Sequence, residues 1–161
     1  IFKKKIASRC KLKVNSKENI GISMKKYNEI NDNFLNLIKI VKKLRDKDNG
    51  CLWCNSQTSE SIAKYSIEEA NEVVEAIDKG NSSEICEELG DLLFQVIFHS
   101  QIKSDEKEFN INDVIKSINK KMIRRNPHVF NNKNNKKYTL DEIEENWIKI
   151  KNEEKKLINK I

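Results

Sequence analysis

Between Ser66 and Ile102 the chain sets nine carboxylates, Glu68, Glu69, Glu72, Glu75, Asp78, Glu84, Glu87, Glu88 and Asp91, against one cation, Lys79. Two motifs of matching spacing stand out in this island, Glu69-x-x-Glu72 and Glu88-x-x-Asp91. Residues three apart on a helix share a face, so each motif makes a claw of two carboxylates. A short hairpin between the two helices would bring the claws together. Four oxygen donors then suit a hard divalent cation, Mg²⁺ or Mn²⁺, which keeps positions open for water and phosphate oxygens.

The plain alternative is a solvated acidic face. Against it, Glu68 and Glu72 are a like-charge i,i+4 pair, and only Glu75 with Lys79 has the stabilising arrangement. The helix dipole favours Glu68, Glu69 and Glu84 near their N-termini, but Asp91 lies too deep for that help. Gly90 inside a helix costs about 1 kcal/mol relative to Ala, which implies close approach of another backbone or a ligand. A di-iron bundle would need Glu-x-x-His, and position 96, three before His99, is Val. His99 therefore reads as a hydrogen-bonded core residue or a support to the ligands.

Complementary cations stand on a later segment, where Lys121 and Arg125, like Lys120 and Arg124, are one helical turn apart. Such a pair can clamp phosphate oxygens, and Trp147 or Trp53 could offer a surface to a base. Cys51-x-x-Cys54 has the spacing of half a zinc site or of a redox pair, but no second pair of ligands completes a zinc site. A reduced, unliganded thiol pair is expected.

The elements that must position these groups read as helices. Four Gly and one Pro in 161 residues favour an all-α chain over a many-turned β fold. Apolar residues at Phe34, Leu37, Ile38, Val41 and Leu44 predict a first helix from about Ile30 to Arg45. A loop from Asp46 to Ser56 with an Asn49-Gly50 turn and a short helix from Thr58 to Tyr65 follow. Ser66-x-x-Glu69 reads as a capping box opening a helix over 67–79, with Ile67, Ala70, Val73, Val74 and Ile77 turned inward and Gly80 as its stop. Ser82 or Ser83 would cap a third, central helix reaching about Ser104, antiparallel to the second. A fourth runs from about Asn112 to Arg125 and ends before Pro127. After a polar loop over Asn131–Lys137, Thr139-x-x-Glu142 opens a last helix through Trp147 to about Leu157.

The net charge of +6 and the pI near 9 are uneven. Residues 1–23 hold seven Lys or Arg and one Glu, so 24–161 are neutral and nucleic acid is not the expected partner. We expect 1–23 to be a disordered basic extension and 24–161 to be one domain. With no secretory core and no apolar stretch of about 18 residues, a soluble, cytoplasmic protein is expected.

The chain resembles the MazG nucleoside triphosphate pyrophosphohydrolases. The likeness runs through Leu44-Arg45-Asp46, Gly50-Cys51-x-Trp53, Gln57-Thr58, Tyr65-x-x-Glu68-Glu69-Ala70-x-Glu72-Val73, Glu88-Leu89-Gly90-Asp91-Leu92-Leu93-Phe94-Gln95-Val96 and Arg124-Arg125-x-Pro127-His128-Val129-Phe130. It implies an all-α bundle of the all-alpha NTP pyrophosphatase type, about five helices, acting as a homodimer. The implied reaction is Mg²⁺-dependent hydrolysis of nucleoside triphosphates to monophosphate and pyrophosphate, a metal-activated water attacking the α-phosphorus. The resemblance assigns metal ligation to Glu69, Glu72, Glu88 and Asp91, phosphate contacts to Lys121 and Arg125, and base stacking to Trp147. It sets Glu68, Glu84 and Glu87 near the nucleotide. Two departures stand out: Cys51-Leu52-Trp53-Cys54 replaces the usual Cys-Pro-Trp-Asp, and one copy of a module often present in tandem is seen, most like the first. A catalytically weak or inactive helical nucleotide-binding or dimerisation module derived from the same family is the alternative.

Overall fold

A computed structural model describes residues 20–132 and 135–158. Residues 1–19, most of the expected extension, lie outside them. The described residues form seven helices and no strand: α1 (Ile20–Leu44), α2 (Leu52–Ser56), α3 (Ser59–Lys79), α4 (Ser82–Asp105), α5 (Ile111–Arg125), α6 (Pro127–Phe130) and α7 (Leu140–Ile158). Five are long, as expected, and two are single turns. α1 starts ten residues earlier than its apolar stripe suggests.

Helix α4 is the axis of the fold. It packs along α3 and also meets α1 and α5, while α5 carries α6 and α7. Its buried residues are Gln95, Ile97, Phe98, Ser100 and Ile102, and the core closes around Ile97, Phe98 and Ile102 with Val41, Cys54 and Ile62. The α1 face expected from periodicity does pack here, through Val41 with Phe34, Leu37, Ile38 and Leu44.

The link from α1 to α3 is held by polar contacts. Gly50 N–H donates to Asp46 O at 2.8 Å, and a Cβ at Gly50 would collide with the carbonyls of Asp46 and Leu44. Arg45, its side chain 9% exposed, donates to Asp105 Oδ2 at 2.7 Å, Cys54 O at 2.5 Å and Gln57 O at 3.2 Å. One guanidinium thus ties the C-terminal part of α2 to the end of α4.

The acidic hairpin differs from expectation at its entry. Ser66 opens no helix, because α3 begins at Ser59 under a capping box between Thr58 and Ser61, one unbroken helix through Lys79. Two capping patterns compete eight residues apart, and the Thr58 box is the one that forms. Gly80 closes α3 in the left-handed conformation (φ 74°), and Asn81, rather than either serine, caps α4 by accepting from Ser83 N–H. Asn110 with Asp113 caps α5, and the expected Thr139–Glu142 box opens α7. Pro127 ends α5 and sits in the first turn of α6.

The expected inward face of α3 is also corrected. Ile67, Val74 and Ile77 are each more than half exposed, whereas Ile62 and Ala76 are buried. The face turned to α4 is the one that bears Ser66 and Glu69. On α4, Leu89, Leu93 and Val96 are likewise exposed. Both hairpin helices thus leave open an apolar stripe of 3-4-3 spacing, Ile67-Ala70-Val74-Ile77 and Cys86-Leu89-Leu93-Val96. A side chain at Gly90 would meet open space, so the close approach expected there is not made among the described residues.

Candidate active site

The α3–α4 hairpin brings the two claws together. Carboxylate oxygens of Glu69, Glu88 and Asp91 lie within 4.8 Å of one another. Glu69 and Glu88 are half-buried and Asp91 is exposed. Glu72 is exposed and lies outside this group of three, though its charge acts on the Glu88 carboxyl.

No Lys or Arg among the described ion pairs reaches these four acids. Lys79, the sole cation of the island, pairs with Glu84 at 3.6 Å across the hairpin turn, rather than with Glu75. The uncompensated charge appears in the acids themselves. Burial pushes the Glu69 carboxyl above its usual range, and Asp91, Glu72 and Glu68 push it further; only a hydrogen bond from Gln95 opposes them. Glu88 is raised by burial first, then by Glu72, Asp91 and Glu87. Negative groups gathered without a counter-charge, offering oxygen donors only, fit a hard divalent cation.

Two polar contacts behind the cluster lock α3 to α4. Gln95 Nε2 donates to Glu69 Oε1 at 3.3 Å, and Ser66 Oγ lies 3.1 Å from His99 Nε2. Sequence reading missed Gln95, although an amide inside the apolar run Leu92–Phe98 was the available signal, since a buried polar group needs a partner. Its Oε1 is buried with no protein partner. His99 supports α3 instead of facing the acids as a ligand, and burial lowers its pKa.

The other expected contacts are set by neighbours of their own. Lys121 lines an open cleft of about 590 Å³ between α4 and α5, with Val96, Phe109, Val114 and Ile118, and no claw carboxylate is among its lining residues. Arg125 is clasped by Glu154 of α7, through Nε at 3.1 Å and Nη2 at 2.5 Å, and Arg124 joins the same carboxylate. The Arg125 guanidinium and the Lys151 ammonium lie 5.0 and 5.2 Å from the centre of the Trp147 ring. Glu154 was not anticipated from the sequence, where Glu153-Glu154 among lysines carries no signal for a distant partner. Glu68 and Glu87 are exposed beside the claws, and Glu84 accepts from Asn81 Nδ2 at 2.8 Å.

Comparison with known proteins bears on the same segment. Residues 57–130 match the MazG nucleotide pyrophosphohydrolase domain. The nucleoside triphosphate pyrophosphohydrolase/pyrophosphatase MazG of Thermotoga maritima is 45% identical over 122 residues, 76% of this chain and 45% of that protein. The nucleoside triphosphate pyrophosphohydrolase of Escherichia coli K12 is 41% identical over 119 residues, 74% of this chain and 44% of that protein. The chain spans less than half the length of these curated relatives. In fold it is similar to the crystal structure of a mazG-related protein from Thermotoga maritima, with a TM-score of 0.59 and 24% identity over 73% of this chain and 97% of that one.

Proposed function

The chain belongs to the MazG nucleotide pyrophosphohydrolase family, and on that premise we propose that it hydrolyses nucleoside triphosphates, ribo or deoxy, to the monophosphate and pyrophosphate. The observation that carries this reading is the group of Glu69, Glu88 and Asp91, reached by no cation among the described ion pairs. These three residues with Glu72 hold Mg²⁺, or Mn²⁺ in its place. When bound, the ion supplies charge neutralisation for the triphosphate and lowers the pKa of water.

The chain's own residues bind and orient the substrate. Lys121 and Arg125 meet phosphate oxygens and offset the charge that develops on the departing pyrophosphate. The clasp with Glu154 uses Nε and Nη2 of Arg125, which leaves Nη1 for a phosphate oxygen. Trp147 offers its ring to the base, and Glu68, Glu84 and Glu87 border the nucleotide. Water attacks the α-phosphorus, and the bond between the α- and β-phosphates breaks.

The protein works as a homodimer. Two open apolar stripes on adjacent antiparallel helices have the spacing of a coiled-coil seam, and a second copy of the hairpin would cover both in a four-helix bundle. No described helix is long and apolar enough to cross a membrane. A cytoplasmic location, where nucleoside triphosphates are made and spent, goes with the proposed substrate.

Purified protein incubated with mixed NTPs, dNTPs and Mg²⁺ tests the activity. Pyrophosphate release should exceed that of a Glu72→Gln, Asp91→Asn double variant by about 100-fold or more. Equal rates would assign the chain to the alternative, a nucleotide-binding module without turnover.

A further inference from the structure

The proposed reaction makes no use of Cys51-Leu52-Trp53-Cys54. The backbone of this segment is nevertheless closely held. Cys51 N–H donates to Leu44 O at 2.8 Å, Asn55 N–H donates to Cys51 O at 2.9 Å, and Arg45 donates to Cys54 O. Cys51 is the extended N-cap residue of α2 and Cys54 the third residue of its first turn, so both stand at the same helix start. Cys54 belongs to the core cluster, and Cys51 packs against that cluster from its rim.

The two thiols differ in access and in chemistry. Cys54 is 6% exposed, shut off from reagents, while Cys51 is only half-buried. The neighbouring Cys54, through its backbone N–H first and then its thiol, pulls the Cys51 thiol below the ordinary range. Burial pushes the Cys54 thiol up, and the neighbouring Cys51 adds to this. An accessible sulfur that ionises early beside a sheltered one that stays protonated is the division of labour of an attacking and a resolving thiol.

We propose that Cys51 and Cys54 form a dithiol that small disulfides oxidise to an intramolecular disulfide, with Cys51 attacking and Cys54 resolving. Cys51 loses its proton to solvent and attacks one sulfur of R–S–S–R. A Cys51–S–R bond forms as the R–S–S–R bond breaks, and one thiolate leaves to be protonated. The Cys54 thiol then gives up its proton and attacks Cys51 Sγ, displacing the second RS⁻, which is protonated in turn. Two protein thiols are oxidised to one disulfide while one small disulfide is reduced to two thiols.

The test is a time course of the full chain with oxidised glutathione at pH 7, quenched by alkylation and mapped by peptide mass spectrometry. An unstructured single-cysteine peptide in the same mixture is the standard, because Cys86 lies in the apolar stripe that the proposed dimer covers. Cys51 should be consumed several-fold faster than the peptide thiol, and the end product should be a Cys51–Cys54 disulfide, two hydrogens lighter, that reduced glutathione reverses. In Cys54→Ser the glutathione adduct should persist on Cys51, and in Cys51→Ser the buried Cys54 should stay unmodified. Cys51 reacting no faster than the peptide thiol, or stopping at a glutathione adduct in the unaltered chain, would overturn the proposal. Both readouts come from the unaltered chain, so the test holds even if a variant fails to fold.

Discussion

At the scale of single residues, the site is a balance between the clustered acids and the groups that keep them in place. Gln95 donates to Glu69 while its own carbonyl oxygen is buried without a protein partner. Gln95→Leu removes both features at similar volume. The fold should survive, while affinity for Mn²⁺, measured by titration calorimetry, should fall about 10–100-fold, the usual effect of losing a group that orients a ligand. The acids themselves should act against folding when no metal is present. Glu69 and Glu88 hold protons more tightly in the folded state than their ordinary value of 4.5 implies. The stability they confer is therefore greatest at low pH and is lost as pH rises from 4.5 through their raised values. Glu88→Gln should raise the melting temperature of the metal-free protein at pH 7 and abolish the rise that Mg²⁺ gives the unaltered chain. A thermal melt with and without Mg²⁺ checks both, and an unchanged metal response would remove Glu88 from the ligand set.

At the scale of elements, α5 and α7 are joined by a two-arginine clasp on Glu154, whose pKa falls from 4.5 to about 2, chiefly through its hydrogen bond to Arg125. A depressed carboxylate pKa gives stability that is complete above about pH 4.5 and is lost as pH falls towards 2. Glu154→Gln should therefore make the acid limb of a melting-temperature profile shallower and leave its neutral end lower than in the unaltered chain. An acid limb of unchanged slope would mean that the clasp does not form in solution. Most elements were legible in the sequence because their signals are local. The α1 stripe, the Thr139–Glu142 box and the end of α5 before Pro127 each depend on residues within a few positions. Ser66 was not, because a serine followed by Glu69 reads as a cap unless the hydroxyl is known to face His99, thirty-three residues away. The inward face of α3 failed for a related reason. Periodicity finds an apolar stripe but does not say which molecule it packs against.

At the scale of the whole molecule, two features point beyond one chain: the small core and the two open seams of the hairpin. Light scattering behind size exclusion should give twice the chain mass of 18.9 kDa. Val74→Lys with Ile77→Lys should return the protein to a monomer of unchanged helical content, and a monomeric unaltered chain would sink the dimer proposal. What the amino-acid sequence determined by itself was composition and spacing: an all-α chain, a neutral body, and two carboxylate pairs one helical turn apart, because i,i+3 geometry belongs to any helix. Only the tertiary structure decided what these groups meet. It set Glu69, Glu88 and Asp91 within 4.8 Å, turned the acid-bearing face of α3 onto α4, and left the α3 apolar stripe open. It also gave Arg125 to Glu154 and put Cys54 in the core beneath Cys51. These partners are far apart in sequence or depend on how a helix is rotated about its axis, and burial settles that rotation only when the neighbouring helices are in place.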